Sequence, residues 1–118
     1  MNFSVENRGG QVIFTLKDKQ LNAVNAPVLK AQFLIVCQPD IESLILDFSN
    51  IEQIDSAGLG ALLLAYRILK EYDIPIGLIS VRSMVKSMLR ISQLEHLFEF
   101  FDSVDEAIES LEGEEIEE

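Results

Sequence analysis

The chain has 118 residues, 48% of them apolar, with twenty Asp and Glu against nine Lys and Arg for a formal charge of −11. That length suits one compact core, the apolar content excludes a disordered chain, and the acidic excess disfavours nucleic acid and anionic membrane surfaces as partners. No apolar run approaches the ~20 residues of a membrane helix, and a lone Cys37 excludes an internal disulfide and argues against a zinc cluster.

Phe3 to Asn7 and Gln11 to Lys17 read as two strands, because apolar residues alternate on either side of Gly9-Gly10, the signature of a hairpin. Asn25 before Ala26-Pro27 suits an N-cap followed by proline in the first turn. Val28, Leu29, Phe33 and Val36 then recur at helical spacing, and the helix ends near Cys37, before Pro39. Leu44-Ile45-Leu46-Asp47-Phe48 has the near-continuous apolar pattern of a central strand buried on both faces, which implies parallel neighbours.

Ala57 to Tyr72 follows as a helix with Leu59, Leu62, Leu63, Tyr66 and Leu69 on one stripe. Pro75 to Ser80 reads as the next strand, and Ser83 is expected to cap a third helix carrying Met84, Val85, Met88 and Leu89. Phe98 to Phe101 is a brief strand, and Ser103 with Glu106 has capping-box spacing ahead of a helix that buries Val104, Ala107, Ile108 and Leu111. The order ββαβαβαβα calls for an α/β fold: a mixed, mainly parallel sheet with an antiparallel N-terminal hairpin strand and four flanking helices. Residues 1–111 form the expected single domain. Five glutamates within 112–118 predict a flexible acidic tail. The N-terminus lacks the basic and apolar pattern of a secretory signal, so a cytoplasmic location is expected.

The chemistry is concentrated between Leu46 and Gly60, where a strand's C-terminal end leads through a loop into a helix; in open α/β sheets that edge is where ligands and partners are met. Asp55 and Ser56 are both good N-caps, and one reading is that they only satisfy the first free N–H groups. Gly58 and Gly60 sit oddly with that, since each costs a helix ~1 kcal/mol relative to Ala. A bare backbone surface there is expected either for packing or for contact with a partner. A hydroxyl at a helix start also suits phosphorylation, which would add about −1.5 to −2 of charge beside Asp55 and turn away an acidic or apolar partner patch.

The run Asp55-Ser56-Ala57-Gly58-Leu59-Gly60 matches an Asp-Ser-x-Gly-Leu-Gly motif, and with the opening hairpin, the Leu-Asp-Phe-Ser strand end, Ile79-Ser80 and the region from Met84 to Leu94, the chain resembles a stand-alone STAS domain of the anti-sigma factor antagonists. The resemblance implies partner switching. The unphosphorylated antagonist binds an anti-sigma factor that is also a serine kinase, the kinase phosphorylates the motif serine, here Ser56, using its own ATP, and a phosphatase resets it. It further implies that Asp47 lies near that serine, and that the loop from Leu21 to Asn25, Asn22 included, joins Asp55, Ala57, Gly58, Leu59 and Gly60 in the docking surface. Lys19-Gln20-Leu21-Asn22 stands where many such proteins have Gly-Glu-Leu-Asp, so Asn22 replaces an acid.

No catalytic role, cofactor or metal is expected. His96, the one histidine, offers no activated triad with Ser56, Asp47 and Asp55 alone are weak grounds for Mg²⁺, and no Walker-type phosphate loop is present. The competing expectation is a STAS scaffold or regulatory subunit of a transport or stress-sensing complex that works without phosphorylation. Oligomeric state is left open.

Overall fold

A computed structural model describes residues 1–114. Five strands form the main sheet: β1 (Phe3–Arg8), β2 (Gln11–Leu16), β4 (Ser43–Asp47), β6 (Ile76–Ile79) and β7 (Glu99–Phe101), in the order β1-β2-β4-β6-β7. β1 pairs antiparallel with β2, Val5 opposite Phe14, through the turn at Gly9 and Gly10, whose positive φ values of 61° and 96° favour glycine. The other pairings are parallel. From β2 onward the strands are laid down in chain order, so each helical crossover falls on the same face.

That face carries α1 (Ala26–Val36), α2 (Ser56–Lys70) and α3 (Ser83–Ile91), packed over Val12, Phe14, Leu16, Leu44, Leu46, Ile76 and Leu78. Residues of opposite parity, Ile13, Ile45 and Ile79, meet Ala107 and Leu111 of α4 (Val104–Glu114) on the other face. Leu44, Ile45 and Leu46 are therefore buried on both sides, as their unbroken run predicts. The expected fold class holds.

Two elements escape the sequence reading. β3 (Gln20–Leu21) and β5 (Gln53–Ile54), two residues each, pair in parallel outside the main sheet and clasp the segment before α1 to the segment before α2. The clasp is reinforced by Glu52 N–H donating to the Lys19 carbonyl at 2.7 Å and Asp55 N–H donating to the Leu21 carbonyl at 3.1 Å.

The caps differ from expectation in two places. Ser83 is the first residue of α3, with Arg82 in the cap position and no side-chain cap bond. Asn25 holds the cap position of α1 but does not cap it. It is buried, and its amide donates to Asp18 at 2.9 Å and to the Gln20 carbonyl at 2.7 Å while accepting from Asn22 N–H. The Asp18 carboxylate, accepting first from Asn2 N–H and then from Asn25, is held below the usual carboxylate range. The capping box forms, shifted by one residue: Ser103 Oγ accepts from Glu106 N–H, and Glu106 reaches back to Asp102 N–H.

Within α1, Leu29 and Phe33 are buried as the spacing predicts, Val36 is half-buried and Val28 is exposed, while Leu34 and Ile35, off that spacing, are exposed. On α2 the buried stripe is Leu59, Leu62, Ala65 and Leu69 with Gly58 and Ala61, and Leu63 and Tyr66 are only half-buried. Cys37 ends α1 inside the core, where burial pushes its thiol up to about 12 and leaves it unreactive at neutral pH. α4 continues to Glu114, into the segment expected to be tail, and the remainder of that tail lies outside the described residues.

Candidate functional site

The C-terminal ends of β4 and β5 and the start of α2 meet at one edge of the molecule. Asp55 is the N-cap of α2, in extended conformation, and one carboxylate oxygen accepts from Ala57 N–H at 2.9 Å and Gly58 N–H at 3.1 Å. With the orphan donors satisfied by Asp55, Ser56 is released from that duty. It is the first helical residue, it is exposed, and its hydroxyl makes no hydrogen bond among the described residues. Asp55→Ala is accordingly expected to lower stability by about 1 kcal/mol, and Ser56→Ala to change it by less than about 0.5 kcal/mol. Urea unfolding of both variants checks this, and equal losses would show that the capping is shared.

The two motif glycines play different parts. Gly58 is buried, and a Cβ there would stand 2.7 Å from both Ile54 Cγ1 and the Leu21 carbonyl oxygen and 2.9 Å from Leu21 Cγ. It is the point where α2 closes on the β3–β5 clasp. Leu59 is also in the core, at 7% exposed. Gly58 and Leu59, both expected in the docking surface, are thus buried where α2 closes on the clasp. Gly60 is half-exposed, and an added Cβ would meet nothing closer than Lys30 Nζ at 4.0 Å. Ala57 is half-buried beside it.

Asn22 lies across the clasp from Asp55, and both line a shallow hollow of about 230 Å³ with Gln20, Leu21, Gln53 and Ile54. Its side chain is committed locally: Oδ1 accepts from Val24 N–H at 2.9 Å and Nδ2 donates to Gln20 at 3.1 Å. An aspartate would make the same turn, so the departure from the Gly-Glu-Leu-Asp pattern alters charge at the rim rather than the shape of the loop. Asp47 ends β4, half-buried, and accepts from Ser49 N–H. Strand alternation sets it on the α4 side of the sheet with Ile45, and no hydrogen bond joins it to Ser56. The structure therefore gathers Asn22, Asp55, Ser56, Ala57 and Gly60, with Asp47 at the same strand edge but on the opposite face.

Two participants were not read from sequence. Arg82 Nη2 donates to the Ser49 carbonyl at 3.1 Å, tying the loop after β6 to the loop after β4. Lys30 reaches from α1 to Gly60, a charge that the apolar spacing of α1 passes over. A larger hollow of about 380 Å³, between Pro39, Glu42, Tyr72 and Pro75, contains none of the expected site residues. Among the described residues no group of His, Cys, Asp and Glu could hold a metal ion, no helix is long and apolar enough to cross a membrane, and His96 is exposed in the short 3₁₀ turn Glu95–Leu97.

Comparison with known proteins agrees with this architecture. The family model described as STAS domain matches residues 2–107. Over 106 residues the chain is 26% identical to a Thermotoga neapolitana protein provisionally named anti-sigma factor antagonist TM1081 homolog, covering 86% of this chain and 91% of that one. Among solved structures it is similar to a provisionally named anti-sigma factor antagonist of Thermotoga maritima, with a TM-score of 0.85 and 22% identity over 93% of this chain and 94% of that one. It is also similar to the anti-sigma factor antagonist SpoIIAA. The unphosphorylated form gives a TM-score of 0.81 at 20% identity over 95% of this chain and 97% of that one. The phosphorylated Bacillus form gives 0.73 at 20% identity over 93% and 99%. With a family-model match spanning nearly its whole length, the chain belongs to the STAS domain family.

Proposed function

We propose that this protein is an anti-sigma factor antagonist that acts by partner switching in the cytoplasm, binding an anti-sigma factor serine kinase through the edge around Ser56 and leaving it when Ser56 is phosphorylated. The observation that carries the reading is the division of labour at the start of α2: Asp55 accepts from the Ala57 and Gly58 N–H groups, and the Ser56 hydroxyl stands exposed one position later with no hydrogen bond among the described residues. The relatives named for this role, and the SpoIIAA structures in both phosphorylation states, support it.

In the switching step Ser56 Oγ attacks the γ-phosphorus of ATP held by the kinase. The new Oγ–P bond replaces the bond to ADP, which leaves, and the hydroxyl proton passes to a base on the kinase. A phosphatase returns the hydroxyl by hydrolysis and releases inorganic phosphate. The chain itself supplies the acceptor and the docking surface and performs no catalysis.

Incubation with ATP and the anti-sigma factor kinase encoded in the same genome is expected to add one phosphate, assigned by intact mass and peptide mapping to Ser56. Modification confined to Ser49, Ser80 or Ser83 would overturn the assignment, and absence of any modification in a stable complex would favour a scaffold role without phosphorylation.

A further inference from the structure

Lys30 is the fifth residue of α1 and Gly60 the fifth residue of α2, and the two helices lie side by side on one face of the sheet. The Lys30 ammonium lies 4.0 Å from where a Gly60 Cβ would stand, the nearest described atom outside the local α2 backbone. Ser56 is four residues before Gly60, so the two positions are neighbours on the same strip of α2, one turn apart. No acidic residue occurs anywhere from Lys19 to Pro39, and Lys30 has no ion-pair partner among the described residues. In a chain of net charge −11, an exposed cation with no ion-pair partner among the described residues thus lies about one helical turn from the serine read as the phosphate acceptor.

We propose that Lys30 is the counter-cation of phosphorylated Ser56, a positioning residue that captures the phosphate within the same chain. This rests on the reading that Ser56 carries phosphate. A flexible four-carbon stem lets the ammonium swing from the bare Gly60 backbone toward the start of α2, and a dianionic phosphate there makes a charge-assisted pair stronger than any contact Lys30 has in the unmodified chain. Once paired, Lys30 holds the phosphate against α2, over the surface that the partner covers in the unmodified form, and keeps the modified chain from rebinding.

The test uses the full chain with phosphoserine placed at position 56 during translation, so that no kinase is involved. Phosphorus NMR then follows the second ionisation of the phosphate at low salt in the otherwise unchanged chain, in K30Q and in K30R. The neighbouring Asp55 carboxylate acts alike in all three, so the difference between them isolates Lys30. The ionisation is expected about half a unit lower with Lys30 than in K30Q, to be restored by K30R, and to converge with K30Q in high salt. Identical titrations with and without Lys30 would overturn the proposal, as would a K30Q shift that K30R fails to restore. A kinase that never modifies Ser56 would instead defeat the partner-switching reading while leaving this ion pair measured.

Discussion

Gly58→Val is expected to cost about 3 kcal/mol of stability and to lower the melting temperature by roughly 10 to 15 °C. The first added carbon would be placed 2.7 Å from the Leu21 carbonyl oxygen and from Ile54 Cγ1, well inside van der Waals contact, and two further methyl carbons follow it. The carbonyl cannot give way without breaking its bond from Asp55 N–H, so relief requires α2 to lift from the clasp. Gly60→Ala is the paired control: an alanine there gains up to about 1 kcal/mol in helix propensity and meets only the end of Lys30. Differential scanning calorimetry of the two variants separates the roles of the glycines. A Gly58→Val protein that melts with the parent would mean that the helix start is not packed as described.

The second large effect is on association. Ser56→Asp is expected to weaken binding to the anti-sigma factor kinase on the order of 10- to 100-fold, about 1.4 to 2.8 kcal/mol, and Ser56→Ala to leave it within about twofold. The aspartate adds charge beside Asp55 without reaching into the core, because Ser56 is exposed and its hydroxyl makes no hydrogen bond among the described residues. Like charges brought together at an interface are costly once water is expelled, and the full phosphate, at about −1.5 to −2, is expected to exceed the effect of the aspartate. Isothermal titration calorimetry with the purified partner reads both. Equal affinities for the two variants would remove charge at Ser56 from the mechanism.

Much of the fold is legible in the sequence because its strongest signals are local. The Leu44-Ile45-Leu46 run needs burial on both faces, Gly9-Gly10 permits the left-handed turn, and the Ser103–Glu106 spacing makes its box. β3 and β5 are not legible, since two residues carry no period, and their pairing depends on contact between segments more than thirty positions apart. The caps fail where tertiary contacts outbid local chemistry: buried Asn25 serves Asp18 and Gln20 instead of its own helix. At the site, the motif marks the right stretch but cannot say which glycine is inside. That depends on how closely α2 meets Leu21, which buries Gly58 and Leu59 and leaves Gly60 half-exposed.

The pairing of Gln20 with Gln53 and Leu21 with Ile54 has a kinetic and entropic consequence for recognition. Both loops that border Ser56 are immobilised when the domain folds, so an incoming protein meets a finished platform and loses little freedom of its target on arrival. Under the proposed partner switching, complex formation would then be governed by encounter and by local field, and one phosphate ester on Ser56 would be expected to reverse it without any segment having to melt.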